Sequence, residues 1–228
     1  MIIAADRPYF APYAGWFQKV RLADRLVLLD TVQFPQGTTW LSRNRFKGDQ
    51  GAFWMTLAVR TRGLERQLIS EVRVCRDPRR ARKQIEHLRH AYANAPYFED
   101  HFPFLAAMLD DPGERLAEVN YRVLRHLMRG LAIETPIVRL SELGPVDGRG
   151  TERLVEICRR LNADTFLVQR SALSHVEAER FAAAGIRLRA FAPRSPVYPQ
   201  LWGDFIPDLS TFDLLLNCGP KAGAILAR

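Results

Sequence analysis

The sequence is short of the features that announce many protein classes. It has 3 cysteines in 228 residues, at Cys75, Cys158 and Cys218. The number is odd and no CxxC or finger spacing occurs, which excludes a disulfide framework and a cysteine-built zinc site. No apolar run approaches the ~20 residues that span a bilayer. The longest, such as Leu214–Leu216, break within a turn, so no membrane segment is expected. The opening MIIAADRPYF meets Asp6 and Arg7 at once, without the basic-then-apolar order of an export leader, and a cytoplasmic location is expected. There is no GxGxxG, no P-loop, no internal repeat and no low-complexity tract. A bound phosphate would therefore need side chains, or the helix start near Tyr13–Gly15.

Lysine is scarce too. Only Lys19, Lys47, Lys83 and Lys221 stand among the 33 basic residues, and the net charge is +8. Heavy arginine use has a bland source in a GC-rich genome. It also suits an anionic partner such as a nucleotide, tRNA or an acidic carrier protein, because the guanidinium fork matches phosphate and carboxylate. The hydrophobic share is 47%, enough for one sizeable core, and the expected organisation is a single domain over residues 1–228.

Hydrophobic periodicity predicts an α/β chain. Residues 1–5 read as an apolar strand, 6–14 as a loop with Pro8 and Pro12, 15–23 as a helix and 25–30 as a buried strand. That is a βαβ unit, whose strands should run parallel. Residues 54–60 and 68–75 read as further strands, forming with 39–46 a small antiparallel extension. Residues 78–131 read as an inserted helical segment with breaks near Pro96 and before Glu114. Strand–helix alternation then resumes: 136–140, a helix capped by Thr151, 164–168, 176–184, 186–191 and a last helix ending near Asn217. The expected fold is a Rossmann-like, mostly parallel sheet carrying that insertion and extension.

Parallel sheets bind ligands beyond the carboxyl ends of their strands. Asp6, Arg7 and Asp30 fall at such ends, followed by Tyr9 and Gln33. Arg43 and Asn44 sit in a polar run after Trp40. Ser210 and Asp213 have the spacing of a helix capping box, yet Asp213 lies among Leu209, Phe212 and Leu214–Leu216, where a carboxylate needs a partner. Cys218 falls at a helix C-terminus, whose dipole opposes a thiolate. His87 and His90 have zinc-compatible spacing but no third ligand, so no metal site is expected.

Longer segments carry a family resemblance. PYFAPYAGWFQK (8–19), LLDTVQF (28–34), WLSRNRF (40–46), AYANAPYF (91–98), TERLVEICRRLNADTF (151–166) and YPQLWGDFIPDLSTFDLLLNCG (198–219) resemble, in order and nearly end to end, the WbqC-like family of bacterial O-antigen and other sugar-modification clusters. Gln33, Arg43, Asn44, Tyr198, Gln200, Asp208 and Asp213 keep that family's pattern. Asp6-Arg7, Thr31, Ser42, Gln84 and Gln169-Arg170 depart from it. The departures fall at polar loop ends, so the fold should carry over while the substrate differs.

The resemblance implies an acyl- or aminoacyltransferase, of glycyl type, that acts on an amine of a sugar or small metabolite. Such transfer needs a base and oxyanion donors. Asp6, Asp30 or Asp213 would be the base. Arg7, Tyr9, Gln33, Arg43, Asn44, Tyr198 and Gln200 would bind substrate. No resident cofactor is identifiable. The expected donor is a carrier-protein thioester, an aminoacyl-tRNA or an acyl-nucleotide. The rival expectations are a nucleotide-binding or nucleotidyl-transferring enzyme, and a non-catalytic basic binder of tRNA or an acidic carrier protein.

Overall fold

The computed structural model describes residues 1–64 and 66–227. The chain divides into two compact units, each described by itself. The first contains residues 1–7, 16–31 and 134–194, and the second 8–15, 32–133 and 195–228.

The first unit is built on a parallel sheet. Its strands are β1 (Ile2–Asp6), β2 (Arg25–Leu28), β5 (Ile137–Arg139), β6 (Thr165–Gln169) and β7 (Arg187–Phe191), in spatial order β5-β2-β1-β6-β7. All four pairings are parallel. Ile3, Ala4, Leu26, Val27, Phe166 and Leu167 are buried, as expected of strands covered on both faces. Helix α1 (Ala14–Arg21) turns Phe17 and Val20 into the core, and α5 (Thr151–Arg160) turns in Val155, Ile157 and Cys158. α6 (Ala178–Ala183) contributes Phe181, stacked on Phe166 at 5.2 Å. In order of appearance the strands lie third-second-first-fourth-fifth, which is the nucleotide-binding sheet order. The order reverses between β1 and β6.

The second unit joins the hairpin β3 (Arg43–Gly48) and β4 (Gly51–Thr56) to helices α2 (Pro78–Tyr92), α3 (Phe98–Asp110), α4 (Leu116–Gly130), α7 (Thr211–Cys218) and α8 (Ala222–Leu226). On α4, Leu116, Val119, Val123, Leu124 and Leu127 form a buried stripe. At ~2 kcal/mol for each such side chain, this stripe contributes on the order of 10 kcal/mol of apolar burial. α7 is buried almost all round, Asp213 included. It ends at Gly219, where φ is +48° and a Cβ would lie 2.4 Å from the Tyr97 ring, so only glycine fits.

Three local expectations are corrected. Residues 68–75 form no strand: a 3-10 turn (Ile69–Glu71) and isolated bridges at Leu68, Arg73 and Val74 replace it. The Glu71 carboxylate turns back to accept the Leu68 N–H at 2.8 Å, which favours the turn. Thr151 does not cap α5. Gly150 holds the cap position, while Thr151 Oγ1 accepts the Glu177 N–H at 3.0 Å. The chain also continues past Asn217 into α8. Among the described residues, no helix is long and apolar enough to cross a membrane.

Candidate functional site

In the first unit, polar side chains gather at the carboxyl end of β1. Trp16 and Lys19, three apart on α1, share one helix face. Trp16 Nε1 donates to Asp6 Oδ2 at 3.0 Å, and Lys19 Nζ forms an ion pair with the same oxygen. The Arg7 N–H donates to Asp6 Oδ1 at 3.0 Å. Lys19 is only 4% exposed, and Asp6 keeps partial contact with solvent. The Arg7 side chain is exposed, as is Arg170, which follows the end of β6. Lys19 was not singled out as a site residue in the sequence, although its spacing from Trp16 was a signal.

Asp30, just beyond β2, is buried with both oxygens engaged. Ser141 N–H donates to Oδ1 at 3.0 Å and Ser141 Oγ to Oδ2 at 2.6 Å. The carboxylate thereby anchors the turn that follows β5.

In the second unit, Asp213 is the centre of a buried polar network. It is 0% exposed. Tyr92 Oη donates to Oδ1 at 2.7 Å and Tyr198 Oη to Oδ2 at 2.9 Å. The Lys47 N–H donates to Tyr92 Oη at 2.8 Å. Lys47 Nζ donates to Gln200 Oε1 at 3.1 Å and to the Asp204 carbonyl at 2.5 Å. Burial raises the Asp213 pKa above its ordinary value, and the tyrosine donors, Lys47 and Gln200 oppose that rise. Burial, then the Asp213 charge, raises both tyrosines. Cys218 is raised the same way, so it is held as a thiol rather than a nucleophilic thiolate. Ser210 does cap α7, accepting the Phe212 N–H at 3.3 Å, but Asp213 plays no part in that cap.

The remaining candidates separate. Asn44 is buried: its Nδ2 donates to the Phe10 and Ala11 carbonyls at 3.1 and 2.8 Å. Asn120, which the sequence did not single out, clamps the same loop through the Pro8 carbonyl at 2.6 Å. These two amides hold Ala11 at a φ of +44°. Arg43 places its guanidinium 4.0 Å over the Trp54 ring. Gln33 is exposed on a bridge to Leu68, and Tyr9 is half-buried. The structure thus joins Tyr198, Gln200 and Asp213 in one network, and keeps Asn44, Arg43 and Gln33 in local roles. His87 stacks on Phe53 at 4.0 Å, and His90 lies near Asp49 and Trp202. Among the described residues, no group of three or more His, Cys, Asp or Glu is placed to hold a metal ion.

The comparisons agree with the resemblance read from the segments. The WbqC-like protein family matches residues 7–225. The protein named "Uncharacterized protein Rv1507c" of Mycobacterium tuberculosis (strain ATCC 25618 / H37Rv) is 30% identical over 222 residues, which cover 96% of this chain and 95% of that protein. No solved structure matches.

Proposed function

The chain belongs to the WbqC-like protein family, and on that premise we propose that it is an acyl- or aminoacyltransferase that places a small activated acyl group on an amine of a sugar or metabolite. The observation that supports this reading most is the strand order of the first unit. Ligands of parallel sheets bind where the order reverses, and Asp6 and Arg7 leave β1 beside that reversal, opposite Arg170 after β6.

In this reading the acceptor nitrogen bonds to the acyl carbon. The bond from that carbon to the carrier oxygen or sulfur breaks, and its electron pair leaves with the carrier. The nitrogen's proton passes to Asp6. Asp6 suits the role better than the other two carboxylates because, among the described residues, Oδ1 takes a single donor and the side chain keeps some exposure. Lys19 and Trp16 hold it in place. Arg7 supplies a cation for a phosphate or carboxylate of the donor. Asp30 and Asp213 serve as positioning residues. A carrier-protein thioester, an aminoacyl-tRNA or an acyl-nucleotide would provide the acyl group.

The test is to offer an aminoacyl-pantetheine thioester, an aminoacyl-tRNA and an aminoacyl-adenylate with an amino sugar, and to weigh the products by mass spectrometry. An amide product is expected from one donor. Arg7→Ala should lower kcat/KM about tenfold at unchanged melting temperature, the loss of one charge-assisted contact. Absence of amide from all three donors would sink the transfer reading. The same strand order favours a second reading, nucleotide binding or nucleotidyl transfer. It requires ATP or CTP with Mg²⁺ to raise the melting temperature by mass action, and no shift at millimolar nucleotide would remove it.

A further inference from the structure

A cleft lies within the second unit. Three segments make its wall and are cross-linked through their backbones. The Arg60 N–H donates to the Arg73 carbonyl at 2.9 Å, and the Cys75 N–H to the Ala58 carbonyl at 2.7 Å. The Val74 N–H donates to the Glu114 carbonyl at 2.8 Å, and the Leu116 N–H to the Val72 carbonyl at 2.9 Å. Residues 58–60, 72–75 and 114–116 thus form a bridged platform, so side chains on it are held by paired backbone rather than by a free loop.

The cleft on this platform measures 500 Å³ and is lined by Arg60, Arg73, Cys75, Arg76, Gly113 and Glu114, among others. That volume falls in the ~300–1,000 Å³ range of small-molecule sites. Three guanidinium charges against one carboxylate leave an excess of two positive charges in the lining. Among the described residues, the Arg60 and Arg73 guanidinium groups have no hydrogen bond or ion pair. Arg76 pairs with Asp111 at 2.7 Å, both well exposed. Like charges gathered in one cleft repel, and a bound anion converts that repulsion into attraction. The guanidinium fork matches phosphate oxygens two at a time, and Arg60 and Arg73 supply two such forks besides the Arg76 already paired with Asp111.

We propose that this cleft binds a small phosphate-bearing molecule, a phosphomonoester or a pyrophosphate, through Arg60 and Arg73. The proposal does not depend on the transfer reaction.

Cys75 offers a direct reporter. It is exposed on the cleft, while Cys158 and Cys218 are buried, so a maleimide should label the native protein once. Inorganic pyrophosphate and glycerol 3-phosphate are titrated against the labelling rate and, separately, by calorimetry. At least one of them should slow labelling saturably, with a midpoint equal to the calorimetric dissociation constant. Inorganic pyrophosphate alone doing so assigns free pyrophosphate, and glycerol 3-phosphate doing so assigns an ester. The exposed pair Arg60→Ser and Arg73→Ser should weaken binding about tenfold or more at unchanged melting temperature. Arg76→Ser, made separately, should weaken it less because Asp111 already neutralises that side chain. Labelling slowed no more than by sodium chloride of equal ionic strength would overturn the site. So would an unchanged affinity in the double variant. Acetate protecting as well as phosphate would overturn the phosphate assignment.

Discussion

Tyr92 donates its hydroxyl to Asp213 Oδ1 at 2.7 Å, joining residues 121 positions apart, while the Tyr92 hydroxyl oxygen itself accepts the Lys47 N–H at 2.8 Å. One phenol therefore ties β3, α2 and α7, and Tyr198 adds the 196–209 loop through the other carboxylate oxygen. A buried carboxylate of this kind is expensive unless fully hydrogen-bonded. Its value to the fold lies in the partners that would be stranded without it.

Asp213→Leu should therefore cost about 3 kcal/mol or more in urea unfolding, because two buried tyrosine hydroxyls lose their acceptor and buried Lys47 loses a neighbouring carboxylate. Asp213→Asn keeps one acceptor oxygen and should cost about 1–2 kcal/mol. The pH dependence has a definite sign. The folded pKa of Asp213 lies above its ordinary 3.8, so the folded chain holds that proton more tightly than the unfolded one. This contribution is complete below 3.8 and is lost as pH rises through the folded value. Asp213→Asn should remove it. A Leu variant as stable as the parent would show that the network is dispensable.

Asp6 and Lys19 make a second testable pair, with side chains 17% and 6% exposed. Lys19→Met leaves a largely buried carboxylate without its cation and should cost about 2–3 kcal/mol, less than a fully buried pair because Asp6 retains some water contact. Lys19→Met combined with Asp6→Asn should cost less than the sum of the two. A coupling of about 1–2 kcal/mol in the double-mutant cycle is expected. Strict additivity would mean that the pair contributes no interaction energy.

How far these features could be read in the sequence follows from the range of the interactions. The parallel strands at residues 2–6, 25–28 and 165–169 were legible as short apolar runs, because both faces of such a strand are covered. The stretch 68–75 was misread as a strand, because the local return of Glu71 onto Leu68 leaves no trace in a hydrophobic pattern. Asp213 announced its need for partners by lying among leucines, and Tyr198 and Gln200 carried the family pattern. Tyr92 and Lys47 were not legible as its partners. Tyr92 reaches Asp213 across 121 residues and Lys47 reaches Gln200 across 153, and nothing in a local window encodes such pairs. Lys47 between Phe46 and Gly48 reads as an ordinary surface lysine, yet it is buried.

Asp30 and Ser141 allow a sharper discrimination. Both carboxylate oxygens accept from one serine. An asparagine can reproduce this pattern, because its oxygen still accepts the Ser141 N–H while its amide donates to the hydroxyl. Asp30→Asn should therefore cost less than about 1 kcal/mol, whereas Asp30→Ala, which strands the Ser141 N–H and hydroxyl, should cost about 2 kcal/mol. Ser141→Ala should fall between them. Equal losses for Asn and Ala would show that the negative charge, rather than the geometry, is what the site requires.

The histidine pair of the second unit should make stability fall in acid. His101 Nδ1 lies 3.1 Å from His126 Nε2, and the His126 ring stacks on Phe104 at 3.9 Å. Burial first, then the neighbouring His101 and Arg129 charges, depresses His126 from an ordinary 6.5 to about 4, and burial lowers His101 as well. The unfolded chain therefore takes up these protons at a higher pH than the folded one. Stability from the neutral pair is fully present above about 6.5 and drains away as pH falls toward about 4. After allowance for the partial exposure of the rings, the loss should be on the order of 1–3 kcal/mol. His126→Phe fits between Phe104 and Phe212 and cannot titrate. It should cost about 1 kcal/mol at pH 8 for the lost hydrogen bond and should flatten most of the decline between pH 6.5 and 4. Urea unfolding of the parent and variant at five pH values across that window checks the expectation, and an unchanged slope in the variant would assign the acid sensitivity to other groups.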